Sequence, residues 1–217
     1  MSGASGTPVL LATTNPAKQS RLRWLLEGLE VTCLTPTEAG LEDYVPPEEV
    51  GAGHGEIATE KALAWSQTAS MVALCSDGGL SIPVLGHRWQ SVLTRRLTGE
   101  GGDAERAERL LELMRPYPPE QRLASWTEAL AVANGGQLLR CWEVQGPTGT
   151  VALTPGPLGY VPGFWAFSVW EIAGTGKRYS ELSEAELSSV GDHWAQLKAL
   201  VQPFFLEALG TGTLGPR

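Results

Sequence analysis

Positive charge is scarce in this sequence. Sixteen Lys and Arg stand against 24 Asp and Glu, a net charge of −8, whereas nucleic-acid backbone and anionic membranes reward a surplus of Lys and Arg. Both partner classes are disfavoured, and a small anionic ligand would need a local cluster of cations within an acidic whole. Cysteine is sparse as well. Cys33, Cys75 and Cys141 are an odd number at wide spacing without the C-x-x-C pairs of zinc or redox sites, which fits a reducing cytoplasm. Long apolar runs are missing. The most apolar late stretch, 158–170, is short and interrupted by Gly159, Pro162 and Gly163, so it does not span a bilayer. The first residues lack the charged and apolar regions of a secretory leader. With 217 residues at 42% hydrophobic, the chain buries one substantial core. The organisation predicted is one domain over residues 8–209 between disordered tails at 1–7 and 210–217.

What is present is a run of alternating strand and helix signals. Val9 to Thr13 is a short apolar run, followed by a polar turn containing Pro16 and then by Leu22, Leu25, Leu26 and Leu29 at helical spacing. Val31 to Thr35 reads as a second strand and residues 36–47 as an acidic loop. A helix beginning near Glu56 places Ile57, Ala58, Lys61, Ala62 and Trp65 on one face. Met71 to Cys75 reads as a buried strand running into a turn, Ser76-Asp77-Gly78-Gly79-Leu80. Ala104, Ala107, Leu110, Leu111 and Met114 make an amphipathic helix stopped by prolines. Asn134-Gly135-Gly136 between two β-rich segments is a hairpin signal, because these residues tolerate positive φ. Ser183 and Glu186 have capping-box spacing, and Trp194, Leu197, Leu200, Val201 and Phe204 continue a helical stripe. This order predicts an α/β fold with a mixed sheet.

The chemistry concentrates at the first strand end. Thr13-Thr14-Asn15-Pro16-Ala17-Lys18 places a hydroxyl, an amide, a lysine and backbone N–H groups at a helix N-terminus, which favours anions. The alternative is an ordinary loop whose Asn15 caps the helix and whose Lys18 is solvated. Asp77 sits at a strand end, where it either serves a site or steadies a turn. Lys61 either meets an anion or snorkels from an apolar face. His54, His87 and His193 lack ligand spacing and read as scattered structural or surface residues.

Ala-Thr-x-Asn-x-x-Lys, read at Ala12 to Lys18, resembles the opening signature of the inosine triphosphate pyrophosphatase family. Ser76 to Leu80 is similar to that family's acid-Asp-Ser-Gly-Leu loop, Glu56 to Ala62 to its early lysine-bearing helix, and Leu93-Thr94-Arg95-Arg96 to its Ser-x-Arg segment. The motifs keep their order over about residues 9–205. The resemblance implies a mixed central sheet flanked by helices, bilobed with a cleft, and Mg²⁺-assisted hydrolysis of non-canonical nucleoside triphosphates to monophosphate and pyrophosphate by a cytoplasmic homodimer. It assigns Thr13, Asn15, Lys18, Lys61, Gly78, Arg95, Phe164, Trp165 and His193 to the substrate, Glu49 and Asp77 to the metal, and water activation to Asp77.

The departures from the family pattern are specific. Ser76 replaces the first of the paired acids, Arg21 a glutamate, and Ile57 an asparagine. The late Ser-His-Arg triplet becomes Gly191-Asp192-His193-Trp194, without arginine. An acidic Asp192 accepts from an amino group rather than donating to a purine oxygen, so altered base selectivity is expected, with stacking on Phe164 or Trp165. The alternatives are a catalytically weak or inactive relative that binds a phosphorylated ligand, and a pyrophosphatase acting on modified pyrimidine nucleotides.

Overall fold

A computed structural model describes residues 6–46, 51–93, 101–156 and 163–215. Six strands hydrogen-bond in the order β2-β1-β3-β4-β5-β6. They are β1 (Thr7–Leu11), β2 (Val31–Leu34), β3 (Val72–Ser81), β4 (Leu123–Asn134), β5 (Gln137–Val151) and β6 (Trp170–Ile172). Among the described residues the α-helices are α1 (Pro16–Leu25), α2 (His54–Ala69), α3 (Asp103–Met114), α4 (Glu184–Ser189) and α5 (His193–Gly210). β1 runs parallel to β2 and to β3, with Val9 opposite both Cys33 and Val72. These pairs are parallel because a helix returns the chain between successive strands. β5 and β6 are antiparallel, so the sheet is mixed, as the order of sequence signals predicts.

Gly135 and Gly136 form the turn between β4 and β5 with φ of 56° and 79°. That is the left-handed region glycine enters without steric cost. The turn expected at Ser76 to Leu80 does not form. β3 continues through it to Ser81, and Val72 to Asp77 are buried without interruption. β1 accompanies β3 only over Val72 to Leu74, so beyond that point it is pairing with β4, the other neighbour, that overrides the turn propensity of Asp-Gly-Gly.

The chain divides into two compact units. The first comprises Met1–Asp77, Glu128–Val144 and Trp194–Arg217, and the second Gly78–Thr127 and Gln145–His193. In the first, a cluster joins Leu10 and Ala12 of the β1 edge, Ala73 and Cys75 of β3, Ala129, Ala131 and Ala133 of β4, and Ala58, Ala62 and Trp65 of α2. The period-2 alternation puts each strand's members on one face, and the run of alanines lets α2 lie close against it. Tyr44 meets Trp65 edge-on with ring centroids 4.5 Å apart. Val9, Leu11, Leu74, Leu130 and Val132, of the opposite parity, are also buried.

α5 buries Trp194, Leu197, Val201, Phe205 and Ala208. Leu200, read as part of that stripe, is exposed and Phe204 is half-buried. The stripe therefore advances by threes and fours through Phe205 instead. Gln202 Nε2 donates to the carbonyls of Leu25 and Glu27, tying α5 to the end of α1. Within residues 210–215, read from the sequence as the start of a disordered tail, 210–213 are exposed while Leu214 is buried and the Gly215 carbonyl accepts from Asn134 Nδ2.

The second unit is pinned by Arg122, whose guanidinium donates to the carbonyls of Met114, Tyr117, Val151 and Ala152. α4 opens with the predicted capping box: Ser183 Oγ accepts from Glu186 N, and the Glu186 carboxylate accepts from Ser183 N. Among the described residues no helix is long and apolar enough to cross a membrane.

Candidate active site

The end of β1 and the start of α1 form the loop that the sequence singles out. Asn15 Oδ1 accepts from the N–H groups of Ala17 and Lys18, at 2.9 and 3.3 Å, and so caps α1. The capping reading of Asn15 thus holds, with two of the helix's unpaired donors satisfied from within the chain. Thr13 Oγ1 accepts from Asn15 N at 3.2 Å, which leaves the hydroxyl proton to point elsewhere. Gln19 Nε2 closes the loop from behind by donating to the Thr13 carbonyl. The loop is bound to β3 at its tip, where Lys18 Nζ donates to the Ser76 carbonyl at 3.4 Å.

Asp77 is the charged centre of the site. It is only 8% exposed, and its two oxygens have different partners. Oδ2 lies 2.6 Å from His54 Nδ1, and Oδ1 lies 3.5 Å from Lys61 Nζ. An ionised carboxylate can only accept, so His54 Nδ1 carries the proton in this bond. Burial pushes the Asp77 carboxyl up, but the His54 hydrogen bond together with the charges of Lys18 and Lys61 brings it below its ordinary value. Asp77 is therefore an anion throughout the neutral range, in surroundings that favour its charged form. Ser76, beside it, has a buried Oγ with no hydrogen-bond partner among the described residues. A lone buried hydroxyl of this kind is ready to bond a ligand or a water.

α2 brings two of these groups together because His54 and Lys61 are seven residues, or two turns, apart and share a face. Its first turn is held in place by Glu143 on β5, whose carboxylate accepts from Gly55 N at 3.1 Å. Cys141 Sγ also donates to the Gly55 carbonyl. His54 is the residue that sequence reasoning missed. Its spacing from Lys61 was the available signal, but its acidic partner lies 23 positions away.

Among the described residues, Asp77 by itself does not make a resident Mg²⁺ site. Mg²⁺ demands hard oxygen ligands in a near-octahedral shell, whereas both Asp77 oxygens face nitrogen partners and two ammonium groups add positive charge nearby. No group of three or more His, Cys, Asp or Glu suited to a metal occurs among the described residues. Glu49, the other expected ligand, lies outside them, as does Arg95.

The remaining expected substrate residues, Gly78, Phe164, Trp165 and His193, all belong to the second unit, Gly78 directly following Asp77 on β3. His193 is 0% exposed. Its ring is stacked on Trp126 and Tyr179, with centroids 5.7 and 5.3 Å away, and Phe167 lies across it. That enclosure makes it part of an aromatic core rather than a surface that meets a nucleotide. Asp192, expected to accept from a base, is buried and accepts instead from the Tyr179 hydroxyl at 2.5 Å. Phe164 and Trp165 are buried as well. Phe164 stacks on Phe167 at 4.9 Å, and Trp165 meets Trp89 edge-on.

Residues 9–201 match the model of the Ham1 family. A dITP/XTP pyrophosphatase of Mycolicibacterium paratuberculosis is 32% identical, the match covering 90% of this chain and 94% of that protein. One from Thermus thermophilus is 30% identical, covering 92% of each. A solved structure of a HAM1 protein from Coxiella burnetii superposes with a TM-score of 0.73 at 24% identity, covering 91% of this chain and 99% of that one.

Proposed function

Because this chain belongs to the Ham1 family, we propose that it is a nucleoside triphosphate pyrophosphatase, hydrolysing non-canonical triphosphates to the monophosphate and pyrophosphate. Its relatives named dITP/XTP pyrophosphatases support that substrate class. The observation that carries the reading is the ionised, buried Asp77 flanked by the ammonium groups of Lys18 and Lys61. A polyanion and the water that attacks it need these two things together, cations for the phosphates and a base for the proton.

In this reading Lys18, Lys61 and the Thr13 hydroxyl hold the phosphate chain, and Asn15 contributes by fixing the loop. A water adds through its oxygen to the α-phosphorus and yields a proton to Asp77 Oδ1. The bond from the α-phosphorus to the bridging oxygen breaks, and pyrophosphate departs with that electron pair. Mg²⁺ enters as the counter-ion of the triphosphate, part of the substrate, because the ion binds readily through substrate phosphates. By resemblance, Glu49 faces that metal and Arg95 the phosphates, and the enzyme works as a cytoplasmic homodimer.

Base discrimination is proposed to be weak. No arginine stands at Gly191 to Trp194, Asp192 is committed to Tyr179, and His193 is enclosed, so neither of these two side chains is assigned as donor to a six-position oxygen.

The test is a panel of canonical and deaminated purine triphosphates with Mg²⁺, assayed separately for pyrophosphate and orthophosphate. Pyrophosphate is the expected product, with kcat/KM for inosine over adenosine triphosphate below about a hundredfold, or about 2.7 kcal/mol. A larger ratio would contradict the weak discrimination. Orthophosphate as product, or tight binding without turnover, would overturn the activity itself.

A further inference from the structure

We infer that His54 is a positioning residue for Asp77, selecting which carboxylate oxygen meets the attacking water. The inference rests on the reading of Asp77 as proton acceptor. Its basis is geometric. The bond from His54 Nδ1 to Asp77 Oδ2 is 2.6 Å long, and both residues are almost wholly buried. Away from water such a charge-assisted bond is short and strong.

The donor is itself fixed. His54 is the first residue of α2, with the non-helical Gly53 before it. The next N–H, that of Gly55, is held by the Glu143 carboxylate, and Ile57 N donates to the Gly53 carbonyl. His54 therefore does not follow Asp77 if the carboxylate turns. It defines the orientation.

A carboxylate is symmetric, and without that anchor it rotates about its own axis. The neighbouring ammonium of Lys61 then invites a two-oxygen ion pair that draws both oxygens toward the cation. With Oδ2 tied to His54, Lys61 Nζ stands 3.5 Å from Oδ1. That distance is too long for a tight hydrogen bond, and Oδ1 keeps the basicity that water activation needs. The groups around Asp77 thus divide their work: His54 orients, while Lys18 and Lys61 supply charge.

The test compares His54→Phe, which removes the donor but keeps a planar ring, with His54→Asn, whose amide nitrogen falls near the position of Nδ1. Steady-state kinetics with inosine triphosphate and Mg²⁺ should show kcat reduced about tenfold to a hundredfold in H54F, with KM within a few-fold of wild type. H54N should recover most of that loss. In an Asp77→Asn background, H54F should have no further effect on kcat. A purely structural role would instead lower the melting temperature and the active fraction of both variants without separating them.

An activity-independent reading comes from proton NMR, where wild-type protein should show a strongly downfield imidazole N–H that disappears in both H54F and D77N. Its presence together with absent turnover would locate the failure in the activity, not in the bond. The proposal is overturned if that resonance is absent, if H54F keeps wild-type kcat, or if H54N and H54F lose activity equally.

Discussion

At the scale of single residues, the site turns on how one buried carboxylate is kept charged. Asp77 loses hydration on burial, and the His54 hydrogen bond and the lysines at 18 and 61 more than restore the balance. Lys18 is the cation whose partner is easiest to exchange, since it donates over 3.4 Å to a neutral carbonyl. A phosphate oxygen is a stronger acceptor, and a charge-assisted bond contributes more than a neutral one. Lys18→Ala should therefore weaken binding of a non-hydrolysable triphosphate analogue by about 1–3 kcal/mol, read by titration calorimetry. Unchanged affinity would remove Lys18 from the site. Lys18, Lys61 and Asp77, which the fold brings together, could be singled out in the sequence because each belongs to a motif whose order is recognisable. His54 could not, because histidines 54, 87 and 193 look alike in a sequence and only the fold distinguishes them. His193 became enclosed by aromatic rings, while His54 met an acid.

At the scale of elements, patterns decided by local chemistry were readable, and those decided by neighbours were not. The capping box at Ser183 and the hairpin at Gly135 and Gly136 depend on a few adjacent residues. The Asp-Gly-Gly segment has an equally clear local preference, but as part of β3 beside β4 it stays extended. One glycine shows how closely an edge strand is fitted. A Cβ at Gly149 of β5 would come 2.0 Å from the Glu171 carbonyl oxygen on β6. Backbone cannot yield as a flexible side chain does, so Gly149→Ala should destabilise the protein by about 1–3 kcal/mol, the usual cost of overpacking. Amide hydrogen exchange should show the loss of protection centred on Trp170–Ile172. Full protection there, with an unchanged melting temperature, would mean that the strands separate without cost.

At the scale of the whole molecule, an acidic chain is assigned a polyanionic substrate, and the conflict is resolved locally. The net charge of −8 limits long-range attraction, so the proposed function assigns capture to Lys18 of α1 and Lys61 of α2. The family match over residues 9–201 covers nearly the span over which the sequence motifs keep their order. The order of motifs thus made the family legible before the geometry did. The pairing around Asp77 and the burial of the aromatic residues were set by tertiary contacts that a motif does not encode. The most direct measurement of the account is a single turnover of inosine triphosphate in ¹⁸O-labelled water, with the products resolved by mass spectrometry. Attack at the α-phosphorus predicts one labelled oxygen in the monophosphate and none in pyrophosphate. Label in pyrophosphate or orthophosphate would place the attack on another phosphorus and contradict the account.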